Sequence, residues 1–390
     1  MNPERFRNSP SGRLVKGAEG KATYWAFIPH PLPPEFPLDP KLIRTLSDAD
    51  RALGELAGLG RAMPNPHLLI GPFMRREAVL SSRIEGTQAN ITDLYAYEAR
   101  QLPLPGLKPS KQESDVREVL NYVRAMEYGL DRMNTLPVSL RLIRELHERL
   151  MEGVRGRQAT PGEFRRSQNW IGRPGCTLNE AEFVPPPVHE MNEALNAFEK
   201  YLHLRNEDPP LVRVAYIHYQ FEAIHPFIDG NGRIGRLLLS LLLVNGNLLP
   251  LPLLYLSAYF EKNQNDYYDL LMAVSERGEW RQWLLFFLSG VSEQARDAIS
   301  RVKRLQDLQL EWRTKLQQAR VSGLTLGIMD KLFERPITSA VDVVSQFNVT
   351  HRAAMQALQR LEKINILREI SGRQRNRLFL ATDIIQSTGE

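Results

Sequence analysis

A twelve-residue stretch in front of a leucine-rich segment constrains the fold of this chain more than any other feature. Residues 225–236 read HPFIDGNGRIGR and lead directly into the apolar run LLLSLLLV. Gly230 and Gly232 interrupt a helical pattern, and the apolar run predicts a buried helix over 233–244. The chain must therefore place a glycine loop at the start of a buried helix, with a histidine, an aspartate and two arginines around that loop.

Most of the remaining chain has apolar residues at helical spacing, so the predicted fold class is mainly α. The predicted helices are 39–59, 72–94, 114–133, 138–154, 188–201, 211–224 and a long helix from 290 to 320. Residues 1–38 are predicted to be irregular because FIPHPLPPEFP is rich in proline. The segment 160–187 is rich in glycine and proline and predicts a β-hairpin inserted between helices.

The C-terminal region has a different pattern. Helices capped by Ser339 and Thr350 are followed by the extended pair ILREI and RLFLA. Three short helices and two strands predict a winged helix-turn-helix, with 350–363 as its recognition helix. The predicted domains are an N-terminal segment over 1–100, a helical core over 101–289, a connecting helix over 290–322 and the winged helix over 323–390.

Composition limits the class of protein. A length of 390 residues predicts two or three domains, and 43% hydrophobic residues argue against global disorder. A net charge of +5 is too small to name a partner. One cysteine, Cys176, cannot form an internal disulfide, and the first residues lack an apolar signal region, so a cytoplasmic location is expected. The apolar run 237–256 contains Asn245 and Pro250, which argues against a membrane span.

The residue types in the glycine loop suit phosphate chemistry. Free N–H groups at the start of the predicted helix form an anion site, and Arg233 and Arg236 are spaced to converge on one polyphosphate. Asp229 offers a hard oxygen ligand for Mg²⁺, and His225 offers a base that is active near neutral pH. Taken singly, each residue is more often structural: a turn aspartate, a packed histidine or a solvated arginine.

Taken together, these residues resemble the signature of the Fic family, HPFx[D/E]GNGRxxR, at every fixed position. The resemblance spans roughly 35–290 and implies a helical Fic core that transfers AMP from ATP to a hydroxyl side chain of a target protein. It implies that His225 is the base and that Asp229 holds Mg²⁺. It also implies that Gly230, Asn231 and Gly232 form the anion hole, that Arg233 contacts the triphosphate, that Arg236 takes the γ-phosphate and that Phe227 anchors the loop.

Two segments outside the signature extend the resemblance. GEFRRSQNWIG and the predicted hairpin after it are similar to the Fic flap, which holds the target as an added strand. NDYYDLL is similar to the segment that supplies a tyrosine pair to the adenine pocket, here Tyr267 and Tyr268. A nearby family position that is often Asn aligns loosely with Ser275.

The stretch VLSSRIEGTQAN resembles the inhibitory motif [S/T]xxxE[G/N] of Fic proteins with an N-terminal inhibitory helix. Ser81 and Glu85 share a helix face, and Gly86 allows a helix end, which by spacing alone also fits an ordinary C-terminal cap. The resemblance implies that Glu85 pairs with Arg236 at the γ-phosphate position. The same glutamate could instead align a water for removal of AMP.

Function therefore has three candidate answers. The first is an autoinhibited protein adenylyltransferase, a homodimer by resemblance. The second is a DNA-binding transcriptional regulator with a nucleotide-sensing Fic core, and the third is a Fic enzyme that removes AMP or transfers another phosphate-containing group. Seven Lys or Arg against two Glu between 350 and 377 favour DNA, although many winged helices dock proteins. The candidate DNA contacts are Arg352, Gln356, Arg360, Arg373 and Arg375.

Overall fold

The computed structural model describes residues 1–19, 22–63, 67–99, 111–154, 160–204, 207–372 and 377–388. Helices dominate these residues, which confirms the mainly α fold class. From the N-terminus to the glycine loop the helices are α1 (Pro40–Ala62), α2 (His67–Ile84), α3 (Ile91–Ala99), α4 (Lys111–Arg132), α5 (Leu140–Leu150), α6 (Val188–His203) and α7 (Pro210–Ile224). After it come α8 (Asn231–Asn245), α9 (Ser257–Lys262), α10 (Gln264–Arg277) and α11 (Trp280–Gln318).

The N-terminal region forms a hairpin, so the prediction of an irregular segment over 1–38 was wrong. Strands β1 (Gly12–Glu19) and β2 (Ala22–Pro29) pair antiparallel along their full length. The sequence ATYWAFIP suits a strand, and its only proline comes at the last residue, where it interrupts no central pairing. The prolines that suggested irregular structure mainly follow the strand.

The predicted β-hairpin at 160–187, here called the flap loop, is reduced to a single antiparallel bridge between Ile171 and Phe183. Turns and bends occupy most of the rest of its described residues. The Phe27 N–H of β2 donates to the Val184 carbonyl at 2.9 Å, so the N-terminal hairpin braces the base of the flap loop.

Two helix predictions need correction at their ends. The helix predicted over 72–94 is two helices, because α2 ends at Ile84 and a turn at Glu85 and Gly86 separates it from α3. The long connecting helix begins at Trp280, ten residues before the predicted start. Its first turns lie in the core through buried Trp283, and α1 packs along it, so α11 is a central support for the N-terminal helices.

The described residues of the C-terminal unit, 323–372 and 377–388, form four helices and a small sheet. Its elements are α12 (Gly323–Glu334), β3 (Ile337–Ser339), α13 (Ala340–Phe347), α14 (His351–Lys363), β4 (Arg368–Glu369), β5 (Leu378–Leu380) and α15 (Thr382–Thr388). The sheet order is β3-β5-β4, so the predicted pair of strands has a third member. Ser339 and Asp342 form the predicted capping box. The unit packs directly on α2 through α12 and α15.

Among the described residues, no helix combines the length and hydropathy needed to cross a bilayer.

The contact between α2 and α12 generates a stability prediction. A Cβ at Gly71 would lie 2.7 Å from the Glu334 carbonyl oxygen, whereas a Cβ at exposed Gly58 on α1 would meet nothing within 4 Å. We expect Gly71→Ala to lower the free energy of unfolding by about 1–3 kcal/mol through overpacking. The matched control Gly58→Ala should raise it by about 0.5–1 kcal/mol, since alanine favours the helix.

Urea denaturation of both variants and the parent protein measures these changes. Equal stability of the two variants would contradict the close approach of α12 to α2.

Candidate active site

The glycine loop joins the C-terminal end of α7 to the N-terminal end of α8, and a left-handed residue lies at each end of it. His225 caps α7 with φ 49°, and Gly230 precedes α8 with φ 81°. A non-glycine residue with positive φ is strained, so His225 is held by its surroundings. Its carbonyl accepts from Arg165 Nε and from Asn169 Nδ2, both at 3.1 Å. The flap loop therefore fixes the backbone of the histidine.

The imidazole of His225 is fixed in one tautomer. Nδ1 lies 3.2 Å from the Glu222 backbone carbonyl, which can only accept, so Nδ1 carries the proton. Burial lowers the pKa of His225 to about 4, although the Glu222 hydrogen bond opposes this shift. The neutral ring therefore keeps a lone pair on Nε2 at neutral pH, which is the state that a general base needs.

Phe227 anchors the loop in the core, as predicted from the resemblance. It is fully buried and stacks on His147 with ring centroids 3.7 Å apart. His147 Nδ1 accepts from the Gly162 N–H, so its Nε2 donates to the Asp229 carbonyl at 3.0 Å. Burial lowers the pKa of His147 to about 4, which keeps it neutral in this clamp. Spacing in the sequence gave no sign of this second histidine.

The N-terminal end of α8 leaves its first amides free for an anion. Gly230 offers no side-chain cap, and Asn231 uses its side chain to close the loop instead. Asn231 Oδ1 accepts from the Phe227 N–H at 2.9 Å, and Nδ2 donates to the Phe227 carbonyl at 2.8 Å. An uncapped helix start of this kind attracts phosphate through its N–H groups and its dipole.

Arg236 is buried and bound to the end of α2. Its Nε donates to Ser81 Oγ at 2.9 Å, and its Nη2 donates to the Ser81 carbonyl at 2.9 Å and to Glu85 Oε1 at 2.7 Å. Burial disfavours the charge of Glu85, yet the Arg236 guanidinium outweighs it and lowers the pKa of the carboxyl. The Glu85 side chain stays 38% exposed, against 1% for Arg236.

Two glycines make room for this ion pair. A Cβ at Gly232 would lie 2.3 Å from Glu85 Oε1, so the carboxylate rests against the backbone of α8. Gly86 follows Glu85 with φ 91°, a conformation that favours glycine. The predicted helix end at Gly86 is therefore observed, and the glutamate that precedes it contacts the arginine rather than solvent alone.

Arg233 and Arg236 have different partners in this structure, and their predicted convergence on a polyphosphate stays a prediction. Arg233 Nη1 donates to Glu118 Oε2 of α4 at 3.2 Å, and its Nη2 lies 3.7 Å from Asp229 Oδ1. Arg233 Nε is buried without a partner among the described residues.

Asp229 is a residue that could hold a cation. Its side chain is 55% exposed, and Oδ1 accepts from the Gly230 N–H at 2.6 Å, which fixes the carboxylate beside the α8 terminus. An exposed carboxylate oxygen next to a phosphate site fits Mg²⁺, which takes one or two protein carboxylates and completes its shell with phosphate oxygens and water.

The predicted adenine residues differ in exposure. Tyr268 is 44% exposed, whereas Tyr267 is buried and its hydroxyl lies 2.8 Å from His218 Nε2. Ser275 is buried, and its hydroxyl is 2.9 Å from that of Tyr219. Tyr268 is therefore available to a ligand, and the Tyr267 ring packs beside it. Ser275 lies in the core.

A second polar network holds α2 one turn before Ser81. Glu77 is buried and accepts from the Tyr122 hydroxyl at 3.1 Å and from Ser257 Oγ at 2.5 Å. Burial raises the pKa of Glu77 to about 7, although Ser257 and Arg236 oppose the shift. The four-residue spacing that places Ser81 and Glu85 on one helix face also includes Glu77, so the sequence carried a signal for this residue that was not predicted.

The candidate DNA contacts lie apart from this site. Arg352, Gln356 and Arg360 are exposed on α14, and Arg360 Nη2 donates to the Ala319 carbonyl at 3.0 Å. Arg373 and Arg375 lie outside the described residues.

Comparisons with known proteins agree with this geometry. The Fic/DOC family N-terminal model matches residues 43–131, and the Fic/DOC family model matches 137–243. The chain is 30% identical over 179 residues to the protein adenylyltransferase Fic of Drosophila persimilis, covering 45% of this chain and 32% of that protein. For the protein of the same name from Aedes aegypti the identity is 29% over 208 residues, covering 52% and 37%. The matched region is therefore about a third of the length of these relatives.

A crystal structure of a Fic family protein from Desulfovibrio desulfuricans G20 has the same fold. Its TM-score is 0.55 at 20% sequence identity, and the match covers 90% of this chain and 98% of that one. The two family models together span about half of the chain and include the loop from His225 to Arg236. The chain belongs to the Fic/DOC family.

Proposed function

We propose that this chain is an autoinhibited protein adenylyltransferase, which transfers AMP from ATP to a serine, threonine or tyrosine hydroxyl of a target protein or of itself. The observation that carries the proposal is the neutral His225, with its free Nε2 beside the uncapped start of α8. The names of the relatives from Drosophila persimilis and Aedes aegypti support it.

The reaction follows from these positions. His225 Nε2 accepts the proton of the target hydroxyl, the hydroxyl oxygen forms a bond to the α-phosphorus, and the bond to the β-phosphate oxygen breaks to release pyrophosphate. The N–H groups of Asn231 and Gly232 and the guanidinium groups of Arg233 and Arg236 stabilise the phosphate charge. Mg²⁺ on Asp229 would neutralise phosphate oxygens and favour pyrophosphate departure.

Autoinhibition is the second part of the proposal. The Glu85 carboxylate occupies the guanidinium of Arg236, which the γ-phosphate of ATP would otherwise bind. Ser81 holds the same guanidinium through its hydroxyl and carbonyl, so the arginine is fixed in the inhibited position. ATP then binds in a pose whose α-phosphate is not in line with the target hydroxyl, and transfer is slow.

A cytoplasmic location and a homodimer complete the proposal. A single cysteine, Cys176, suits a reducing compartment. The homodimer is implied by family resemblance.

The first functional prediction concerns Glu85. We expect Glu85→Gly to raise AMP incorporation into target protein by at least tenfold, because Arg236 becomes free for the γ-phosphate. His225→Ala should abolish incorporation, and the double variant Glu85→Gly/His225→Ala should be as inactive as His225→Ala. Each variant is incubated with a cell lysate and isotope-labelled ATP, and mass spectrometry then measures the AMP-modified peptides.

Equal incorporation by the wild-type chain and Glu85→Gly would refute the inhibitory role. If the wild-type chain instead removes AMP from a target that Glu85→Gly has modified, the alternative of AMP removal gains support. Inactivity of both toward ATP would favour the nucleotide-sensing alternative or another phosphate donor.

The second functional prediction concerns the charge of His225. Since its pKa is lowered to about 4, the ring is neutral above that value and becomes cationic only as the pH falls through it. Long-range ¹H–¹⁵N imidazole spectra should show the Nδ1–H tautomer of His225 unchanged from pH 8 to pH 5.5. Spectra of His225→Ala assign the signal. A midpoint of protonation near pH 6.5, the ordinary pKa of histidine, would contradict the buried environment of the ring.

We also propose that the C-terminal unit is a winged helix that binds duplex DNA. The element order, with α14 exposing Arg352 and Gln356, supports this assignment. Docking of a protein is the competing role for such a unit.

The third functional prediction tests that role. We expect the chain to bind duplex DNA at low salt and to lose affinity steeply as salt rises. Arg352→Glu should weaken binding at least tenfold, whereas Arg44→Glu, the same charge change at an exposed site on α1, should have a much smaller effect. Fluorescence anisotropy with a labelled duplex measures both. No binding at low salt, or equal loss in both variants, would assign the unit to protein docking.

A further inference from the structure

Glu222 is a carboxylate beside the active site that the proposed reaction does not use. It lies on the last turn of α7, three residues before His225, and its Oε1 is buried without a hydrogen-bond partner among the described residues. A buried acceptor without a donor costs free energy. Oε1 itself has almost no exposed surface, whereas the residue as a whole is only partly buried, so a ligand supplies that donor when the side chain turns toward the site.

Glu222 and Glu85 rest on the same face of α8, one turn apart. A Cβ at Gly232 would lie 2.3 Å from Glu85 Oε1, and a Cβ at Gly235 would lie 2.2 Å from Glu222 Oε1. Residues three apart on a helix are neighbours on its surface, so two glycines admit two carboxylates side by side. Glu85 has a cationic partner at 2.7 Å, whereas no ion pair of Glu222 is found among the described residues.

The surroundings of Glu222 place it between the two ends of a bound nucleotide. Gly235, against whose backbone Glu222 Oε1 rests, directly precedes Arg236, so the carboxyl lies beside the residue proposed for the γ-phosphate. The Gly235 carbonyl lies 3.3 Å from His218 Nδ1, and His218 Nε2 lies 2.8 Å from the Tyr267 hydroxyl, so one side chain separates the same glycine from the proposed adenine residues. The proposed phosphate and adenine residues therefore flank this carboxyl, and the ribose connects phosphate to base.

We propose that Glu222 accepts a hydrogen bond from a ribose hydroxyl of the bound nucleotide and so selects ribonucleotides. This inference rests on the proposed function, because it requires ATP in the site. The triphosphate has no donor at neutral pH, and the adenine amino group is the other donor that ATP offers. Carboxylates bind ribose hydroxyls in this way in dinucleotide-binding folds.

Calorimetry on the His225→Ala protein, which cannot turn over, tests the contact. The ligands are ATP, 2′-deoxy-ATP, 3′-deoxy-ATP and the triphosphate of purine riboside, which lacks the amino group. We expect one of the two deoxynucleotides to bind at least about tenfold more weakly than ATP, since it leaves the acceptor unpaired. Glu222→Met in the same background should bind all four with similar affinity, whereas Glu222→Gln, whose amide oxygen still accepts, should keep the discrimination.

Each result decides the assignment. Equal binding of ATP and both deoxynucleotides overturns it, and so does a loss seen with purine riboside triphosphate alone, which would place the contact at the adenine. Discrimination that persists in Glu222→Met assigns the ribose to another residue. Absence of ATP binding overturns the proposed function itself, a separate outcome. The comparison of ATP with the two deoxynucleotides is made on protein that keeps Glu222, so it stays valid even if Glu222→Met fails to fold.

Discussion

The buried guanidinium of Arg236 is the constraint on which the arrangement of the site depends. A cation removed from water is tolerated only when its donors are satisfied. Ser81 and Glu85 accept from its Nε and Nη2, and both lie at the end of α2, so α2 must pack against α8. Glu77, four residues before Ser81, binds Ser257 and ties the same helix face to α9. One inward-facing row of polar residues thus sets where Glu85 lies.

The same helix also meets the C-terminal unit at its other end. Gly71 lies against the Glu334 carbonyl of α12, about ten residues before Ser81, which corresponds to some 15 Å along the helix axis. α2 is consequently in contact with both α8 and the unit that carries α14. The Fic core and the C-terminal unit are therefore in direct contact through α2.

Sequence reasoning found the parts of the site that are local in the chain. The loop from His225 to Arg236 follows from glycine, helix-start and charge patterns within twelve residues. Contacts between residues far apart in the chain were not predicted. Arg165 and Asn169 of the flap loop, for example, donate to the His225 carbonyl. Their roles depend on packing that no short pattern encodes. The N-terminal hairpin was not predicted because nearby prolines dominated the pattern, although all of them except Pro29 lie beyond the strand.

The turn at Glu85 and Gly86 has a kinetic consequence. Glu85 lies just past the end of α2, and the space around Gly86 is open, so the carboxylate can leave Arg236 by rotation at one turn without unfolding the helix. In the proposed reaction this tethered anion competes with the γ-phosphate of the bound ATP for Arg236. Because ATP is bound in both poses, the active fraction is set by the relative affinity of Arg236 for Glu85 and for the γ-phosphate, and an excess of ATP cannot relieve the inhibition.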